Sequence, residues 1–210
     1  VTATTVLVNM PNFYRDINLL KKLPETSIGI HFNVTKGCPL SSPDEISTLV
    51  DGKGNFLGIK VLYKHFSEVS QEEVKKEYEN QIERFQEKLG FMPYYLTTHH
   101  FVEFLFPEVT LKVAKKYDIP VRIPPTFKEE FTLWKSLHMI PTEIDKGIKR
   151  YRELTTKERI KHPDYFIGSF YGKEATIKKL IEILDGLQSG ITELMVHPGE
   201  TSQIITPVTS

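Results

Sequence analysis

The sequence predicts an α/β fold built on parallel strands. Short runs rich in β-branched and aromatic residues alternate with longer segments whose apolar residues recur at helical spacing. Strands separated by helices are typical of βαβ units, whose strands lie parallel in one sheet. Histidines also stand at or near the carboxyl ends of three predicted strands, and this is the edge at which parallel sheets bind ligands.

The N-terminal part of the chain begins with two predicted strands. Residues 1–8 are rich in Thr and Val and predict a buried strand, which ends at an Asn-Met-Pro-Asn segment. A short helix is expected to run to about Lys22, and residues 27–33 predict the next strand. The glycines and prolines after this strand predict a long loop.

The clearest helix of the sequence begins near Ser70. Ser70 and Glu73 have the spacing of a capping box. Apolar residues then recur at helical spacing as far as Leu89, which precedes a glycine typical of a helix end. The run 94–98 is rich in Tyr and Thr and predicts a strand that leads directly into the pair His99–His100.

The C-terminal part continues the alternation of helices and strands. In chain order it predicts a helix from Pro107, a short strand at 121–123, a strand at 165–170, a helix at 176–187 and a strand at 191–196. The stretch 126–162 shows no clear period, and we interpret it as loop and short helix. We expect a single domain over residues 1–210, since this length suits one domain.

Composition limits the classes of partner and compartment. Lys plus Arg and Asp plus Glu each number 27, so the formal net charge is zero and gives no support to a nucleic-acid or anionic-membrane partner. No run is long and apolar enough for a transmembrane helix. The single cysteine, Cys38, cannot form an internal disulfide, and with no signal peptide visible we expect a cytoplasmic protein.

Four histidines stand at predicted strand ends: His31, His99, His100 and His197. A single histidine in an apolar strand is more often a satisfied core residue than a ligand, and a histidine that precedes Pro-Gly could simply end a strand. Together on one rim they favour a metal or acid–base site, because neutral imidazole is the commonest metal ligand in proteins.

Arg122 is a further candidate for this rim. It belongs to the short strand at 121–123 and precedes two prolines, whose rigidity would fix its direction. It either lines the same pocket or forms an ion pair on the surface. We place it among the candidates for substrate binding.

Four segments of the sequence resemble YdjC-like carbohydrate deacetylases, a family that includes the chitooligosaccharide deacetylases. Residues 1–9 resemble the family's V-T-S-T-S-L-M-V-N strand, and residues 29–40 resemble its G-L-H-L-N-L-T-x-G-x-P-L strand and loop. Residues 95–103 align with its H-L-D-S-H-H-H-V-H block, and residues 193–199 align with its E-x-M-C-H-P-G strand. The order and spacing of the segments agree over nearly the whole chain.

The resemblance implies a distorted TIM-barrel-like (β/α) fold and a metal-dependent hydrolase that acts on a small acetylated carbohydrate. It implies a divalent ion, usually magnesium, bound by an N-terminal aspartate and by two histidines that correspond to His31 and His99. His197 corresponds to a histidine that acts as an acid or base. Members of the family are often homodimers. The candidates for substrate binding are Arg122, His100 and Glu103.

The sequence departs from the family pattern at several positions. An N-A-D-D-F-G strand with the aspartate ligand should precede Val1, and a C-terminal portion should follow the H-P-G motif, so we expect this chain to lack both. Thr97 replaces the aspartate of the third block, and Phe101 and Glu103 replace two of its histidines. Two histidines without the aspartate suit zinc or nickel better than magnesium, which prefers oxygen ligands.

Three functions are consistent with these observations. The first is removal of acetyl groups from N-acetylated sugars, in which a bound ion polarises the acetyl carbonyl and His197 protonates the leaving amine. The second is a sugar-binding or structural relative that has lost its chemistry, which the replacements Thr97, Phe101 and Glu103 favour. The third is a hydrolase of another C–N or ester bond. We expect the chain as given to be catalytically weak, because it lacks the aspartate ligand and an evident base.

Overall fold

Strands and helices alternate along the chain, as the sequence predicts. The computed structural model describes residues 2–23, 25–124 and 141–198. In chain order, the strands and α-helices in these ranges are β1 (Ala3–Val6), α1 (Pro11–Leu20), β2 (Ser27–Phe32), α2 (Ile59–His65), α3 (Gln71–Leu89), β3 (Leu96–Thr98), α4 (Pro107–Lys116), α5 (Pro141–Lys157), β4 (Tyr165–Ile167), α6 (Ile177–Asp185) and β5 (Thr192–Leu194). Short 3₁₀ helices lie at Pro43–Glu45, Phe66–Glu68, His99–Phe104 and Gly172–Glu174.

The strands are parallel, which confirms the predicted α/β class. β1, β2 and β3 form one sheet in that order, and β4 pairs with β5 in a second sheet. The predicted strand at 121–123 is reduced to a single parallel bridge between Leu96 and Val121, beside which the Arg122 amide donates to the Leu96 carbonyl at 3.1 Å. The strands within the described ranges do not close a barrel.

Helix α3 forms the main contact with the first sheet. Its apolar face has the spacing that the sequence predicts, and Val74, Tyr78, Ile82 and Phe85 are all buried. The ring of Tyr78 stacks on Phe32 of β2, with centroids 4.1 Å apart and planes 7° apart. This contact fixes one face of β2 against α3 and leaves the opposite face for other side chains.

The start of α3 differs in detail from a capping box. The Ser70 hydroxyl accepts from the Glu73 amide at 3.4 Å, as predicted. The Glu73 carboxylate, however, accepts from the amide and hydroxyl of Thr48, and the Ser70 amide donates to the Thr48 hydroxyl at 3.0 Å. Thr48 therefore takes the place of a direct bond between Glu73 and the Ser70 amide, and it ties the preceding loop to the helix.

Two helices lie in segments that were interpreted mainly as loop. Helix α2 falls within the loop predicted after β2, and α5 occupies 17 residues of the stretch 126–162, so the loop-and-short-helix interpretation is wrong there. In α5 the buried side chains recur three or four residues apart, which gives this helix a packed face. They are Ile144, Ile148, Tyr151 and Leu154. Residues 126–140 of the predicted stretch lie outside the described residues.

Helix α5 approaches the 3₁₀ segment after β3 very closely at Gly147. A Cβ atom built on Gly147 would lie 2.2 Å from the carbonyl oxygen of Phe104. Backbone can come this near only where the helix has no side chain. Gly147 therefore sets the distance between α5 and the segment His99–Phe104.

No helix in the described ranges is long and apolar enough to span a bilayer.

Replacement of Gly147 by Ala should destabilise the protein. In an ordinary helix interior this change stabilises by up to about 1 kcal/mol. Here the added methyl group would overlap the Phe104 carbonyl, so we expect the free energy of unfolding to fall by about 1–3 kcal/mol, as for an overpacked core. Urea unfolding at equilibrium measures the difference.

Gly52→Ala is the matched control for this substitution. A Cβ at Gly52 meets nothing within 4 Å, so the free energy of unfolding should stay close to the wild-type value. If Gly147→Ala is as stable as the wild type, the close contact between α5 and the 3₁₀ segment does not exist in solution.

Candidate active site

The register between β2 and β3 places His31 beside Thr97. The two residues are paired across the parallel ladder, and the Nδ1 atom of His31 lies 2.5 Å from the Thr97 hydroxyl oxygen. Because side chains alternate along a strand, the buried neighbours Ile30 and Phe32 point to the opposite face from His31. If the hydroxyl accepts from Nδ1–H, the Nε2 atom of His31 keeps its lone pair for another partner.

A sharp corner after β3 carries the next two histidines. His100 and Phe101 adopt left-handed backbone conformations, with φ of 58° and 54°. The ring of His99 packs edge-on against His31, with centroids 5.4 Å apart, and it also contacts the ring of His100 at 3.9 Å. The Nδ1 atom of His100 bonds to the Thr35 hydroxyl at 3.0 Å.

Arg122 lies in the interior beside the second sheet. Its Nε and Nη2 atoms donate to Glu193 Oε1 at 2.9 and 2.5 Å, and its guanidinium lies over the ring of Phe166, 4.7 Å from the centroid. Its Nη1 atom also lies 3.8 Å from the sulfur of Met195. Arg122 is only 9% exposed. Of the two interpretations left open, the surface ion pair is wrong in its location, because the pair with Glu193 is buried, and the pocket-lining role stays a prediction.

His197 follows β5 and is exposed, whereas His31, His99 and His100 are half-buried. Its ring packs edge-on against Tyr171, with centroids 5.0 Å apart. Partial burial and the charge of Arg122 lower the pKa of His197. A positive charge on His197 would in turn lower the pKa of His31 and His99, so the three imidazoles lie close enough to interact.

Burial keeps the inner histidines neutral. It is the main cause that lowers the pKa of His99 to about 3 and that of His100 to about 4, and nearby positive charge adds to it. Burial also lowers the pKa of His31 well below its usual value, and the charges of His99 and Arg122 contribute. A neutral imidazole is the form that binds a metal ion.

Glu103 turns into the core. It is 2% exposed, and its carboxylate accepts a hydrogen bond from the Thr98 hydroxyl. Burial raises the pKa of Glu103 to about 7, although the bond from Thr98 and the charge of Arg122 oppose the shift.

His31 and His99 fit part of a metal site. Two neutral imidazoles in edge contact are suitable ligands for a borderline ion such as zinc or nickel. Within residues 2–23, 25–124 and 141–198, no group of three or more His, Cys, Asp or Glu side chains is arranged to hold an ion. The described residues therefore supply too few oxygen ligands for magnesium.

Sequence reasoning did not single out several partners of these residues. Thr35 and Glu193 lie inside the motifs that resemble the family, so their positions gave a usable signal. Thr97 was noted only as a departure, whereas it contacts His31 directly. Tyr171 lies in an irregular segment after β4, and nothing in the local sequence indicates its contact with His197.

The protein should lose stability in mild acid. A histidine whose folded pKa is depressed remains neutral while the unfolded chain takes up a proton, so its share of stability is lost as pH falls below about 6.5. Each strongly depressed imidazole then costs about 1.4 kcal/mol at pH 5.5. The raised pKa of Glu103 acts in the opposite direction, because its contribution is present below about pH 4.5 and is lost as pH rises through 7.

Between pH 7.5 and 5.5, at least three buried histidines lower the stability of the protein, whereas the carboxyl group of Glu103 raises it. We therefore expect the free energy of unfolding to fall by about 2 kcal/mol over this range. Urea unfolding of chelator-treated protein at both pH values measures the change. His100→Gln should reduce the change, and the exposed control His65→Gln should retain it. Equal stability at both pH values would contradict the buried, neutral state of the cluster.

Comparison with known proteins gives consistent matches along the chain. The family model described as YdjC-like protein matches residues 1–209. A carbohydrate deacetylase of Clostridium beijerinckii is 33% identical over 204 residues, which cover 95% of this chain and 70% of that protein. A carbohydrate deacetylase of Halalkalibacterium halodurans is 29% identical over 214 residues, which cover 98% and 76% of the two chains.

A solved structure shares the fold. It is the crystal structure of a protein from Enterococcus faecalis described as a cellobiose-phosphate cleavage protein, with a TM-score of 0.76 and 24% sequence identity. The match covers 97% of this chain and 72% of the other. With the family match over residues 1–209, these relatives establish that the chain belongs to the YdjC-like family.

Proposed function

We propose that this chain is a carbohydrate deacetylase that hydrolyses the amide bond of N-acetylated sugars or oligosaccharides. The observation that carries the proposal is the cluster of three neutral imidazoles, His31, His99 and His100, beside the fixed charge of Arg122. The relatives named carbohydrate deacetylase support the reaction class and a sugar substrate. Relatives of this name match over most of their own length.

The proposed ion would be held by His31 and His99, together with at least one further ligand. When bound, a divalent ion polarises the acetyl carbonyl and lowers the pKa of bound water. Magnesium is the ion that the family resemblance implies, whereas the imidazole donors of this chain favour zinc or nickel. The Thr97 hydroxyl would orient His31 so that its other nitrogen faces the ion.

His197 is the proposed acid–base residue. It is exposed, so a sugar can reach it, and partial burial of its ring together with the charge of Arg122 lowers its pKa and favours the neutral form. A neutral His197 can take a proton from the attacking water and then deliver it to the leaving amine nitrogen. Proton transfer by one positioned group contributes about 10²–10⁴-fold to such a rate.

Arg122 and His100 are the proposed substrate-binding residues. The bonds to Glu193 and the ring of Phe166 hold the Arg122 guanidinium in one orientation, so little rotamer freedom is lost when a substrate oxygen binds. His100 is held by the Thr35 hydroxyl in a similar way. Both side chains could then accommodate the polar groups of a sugar next to its acetyl group.

A second candidate function is sugar binding without turnover. Thr97 stands where the family has an aspartate, and the described residues lack a third ligand for an ion. A threonine hydroxyl is a weaker acceptor for the Nδ1 proton of His31 than a carboxylate, so it raises the basicity of the ligand less. A protein of this kind would bind oligosaccharides but hydrolyse them slowly or not at all.

The barrel-like arrangement also stays a prediction. The strand order β1–β2–β3, with Val121 beside β3, supports it, because a parallel barrel adds neighbouring strands in chain order. The magnesium ion, the homodimer and the cytoplasmic location stay predictions as well.

Substitution of His197 tests the proposed function. In an assay on diacetylchitobiose with added magnesium, zinc or nickel, the protein should release acetate, and His197→Ala should lower kcat by at least about 100-fold. Cellobiose, which has no acetamido group, should release no acetate. His65→Ala is the matched control, because His65 is exposed and pairs only with Glu68 in the described structure.

Two outcomes of this assay would contradict the proposal. Turnover by His197→Ala at the wild-type kcat, with only KM raised, would show that His197 binds substrate and transfers no proton. Absence of acetate release by the wild type with each of the three ions, together with oligosaccharide binding, would favour the second candidate.

Substitution of Thr97 tests the proposed metal site without a substrate. Thr97→Val removes the hydroxyl that holds His31 and should weaken zinc binding by about 10–100-fold, as the loss of an orienting partner does at other metal sites. Thr97→Ser keeps the hydroxyl and should bind zinc like the wild type. Isothermal titration calorimetry measures both affinities, and equal affinity for Thr97→Val would exclude this role.

A further inference from the structure

Two hydrogen bonds join Thr98 and Glu103 across the corner after β3. The Thr98 hydroxyl donates to Glu103 Oε2, and the Glu103 backbone amide donates to the same hydroxyl oxygen at 3.3 Å. Because one hydroxyl can donate and accept at once, the two bonds close a ring that encloses residues 99–102. Both side chains are buried, so water does not compete for these bonds.

The enclosed backbone is strained. His100 and Phe101 are consecutive residues with left-handed conformations, at φ/ψ of 58°/23° and 54°/36°. Residues with a Cβ rarely adopt this conformation, and two in succession are rarer still, since each opposes the preference of L-amino acids. Such a corner persists only where the surrounding contacts hold it.

The direction of two imidazoles depends on this corner. His99 precedes the left-handed pair and packs on His31, whereas His100 belongs to the pair and bonds to Thr35. If the corner relaxed to an ordinary right-handed conformation, the two rings would leave these partners. The bonds between Thr98 and Glu103 therefore act on the site through its backbone.

The buried position of the Glu103 carboxylate requires a structural explanation. Desolvation of a carboxylate is unfavourable, and the partners of Glu103 in the described structure are the hydroxyl of Thr98 and the more distant charge of Arg122. At 2% exposure the carboxylate cannot contact a sugar that enters from solvent. Substrate binding by Glu103, the role expected from the sequence, therefore finds no support in its position.

We propose that Glu103 is a positioning residue, which together with Thr98 holds the left-handed corner and so directs His99 toward His31 and His100 toward Thr35. The catalytic consequence of this inference rests on the proposed deacetylase function, whereas its geometric consequence does not. Its test therefore needs one measurement on the histidines and a separate one on turnover.

The first measurement is made on the metal-free protein. In ¹H–¹⁵N spectra of the imidazoles, Thr98→Val removes both bonds at nearly constant volume and should shift or broaden the signals of His99 and His100. The signals of His65 and His162, which bond to Glu68 and to the Pro163 carbonyl, should stay in place. Glu103→Leu removes the side-chain bond and leaves the backbone bond to Thr98, so it should also shift or broaden the signals of His99 and His100, and it serves if Thr98→Val does not fold.

The second measurement is kcat on diacetylchitobiose. Misplacement of a reacting group by about 1 Å costs up to about 100-fold, so Thr98→Val should lower kcat by about 10–100-fold. Thr98→Ser keeps the hydroxyl, and Glu103→Gln keeps an oxygen that accepts from Thr98, so these conservative variants should restore the histidine signals and most of the turnover.

Unchanged His99 and His100 signals in folded Thr98→Val or Glu103→Leu would overturn the positioning role, whatever the activity. Loss of turnover in Glu103→Gln with unchanged signals would also overturn it, because the carboxylate would then act directly. If the wild type releases no acetate, the proposed function fails, while the spectra still decide whether Thr98 and Glu103 hold the corner.

Discussion

The parallel pairing of β2 with β3 is the constraint on which the site depends. Its register places His31 opposite Thr97, so His99, two residues further along the chain and just past the end of β3, meets His31 at the same edge of the sheet. A slip of one residue would turn His31 into the core and bring Phe32 to the site. The buried contact between Phe32 and Tyr78 opposes such a slip. An apolar contact on one face of the strand thus fixes a polar arrangement on the other.

Burial of the histidines at this edge of the sheet favours their chemistry but lowers the stability of the protein in acid. It keeps His99 and His100 neutral, with pKa values of about 3 and 4, and this is the state in which an imidazole binds a metal or accepts a proton. The same desolvation makes the folded state resist protonation in acid. Arg122 adds positive charge nearby, but its pairing with Glu193 compensates for the burial of its guanidinium. The site is therefore a neutral cluster close to the paired cation Arg122 and to the positive charge of Lys36.

Local sequence patterns predict the parts of the structure that depend on local periodicity. The apolar repeat of α3, the parallel strands and the strand-end positions of His31 and His99 follow from alternation along the chain. The packing of α5 depends on Gly147 meeting Phe104, which lies 43 residues earlier, and no window of the sequence contains both. At the left-handed corner, His99 and His100 meet His31 and Thr35 from distant parts of the chain, and Glu103 turns inward to Thr98 against the polar character of its side chain. Pattern alone could not assign that direction.

The three departures from the family pattern after β2, Thr97, Phe101 and Glu103, make contacts in different parts of the structure. Phe101 is buried and packs edge-on against Phe166 with centroids 6.1 Å apart, and Glu103 is buried against Thr98. Both side chains lie inside the core, and these two contacts are separate from the ones that join His31 to His99 and to Thr97. Thr97 is different, because it bonds directly to the His31 ring. The loss of a carboxylate at that position weakens the orientation of a proposed ligand. Among the replacements in this block, Thr97 is therefore the one that contacts a proposed ligand directly, whereas Glu103 acts on the site through the backbone corner.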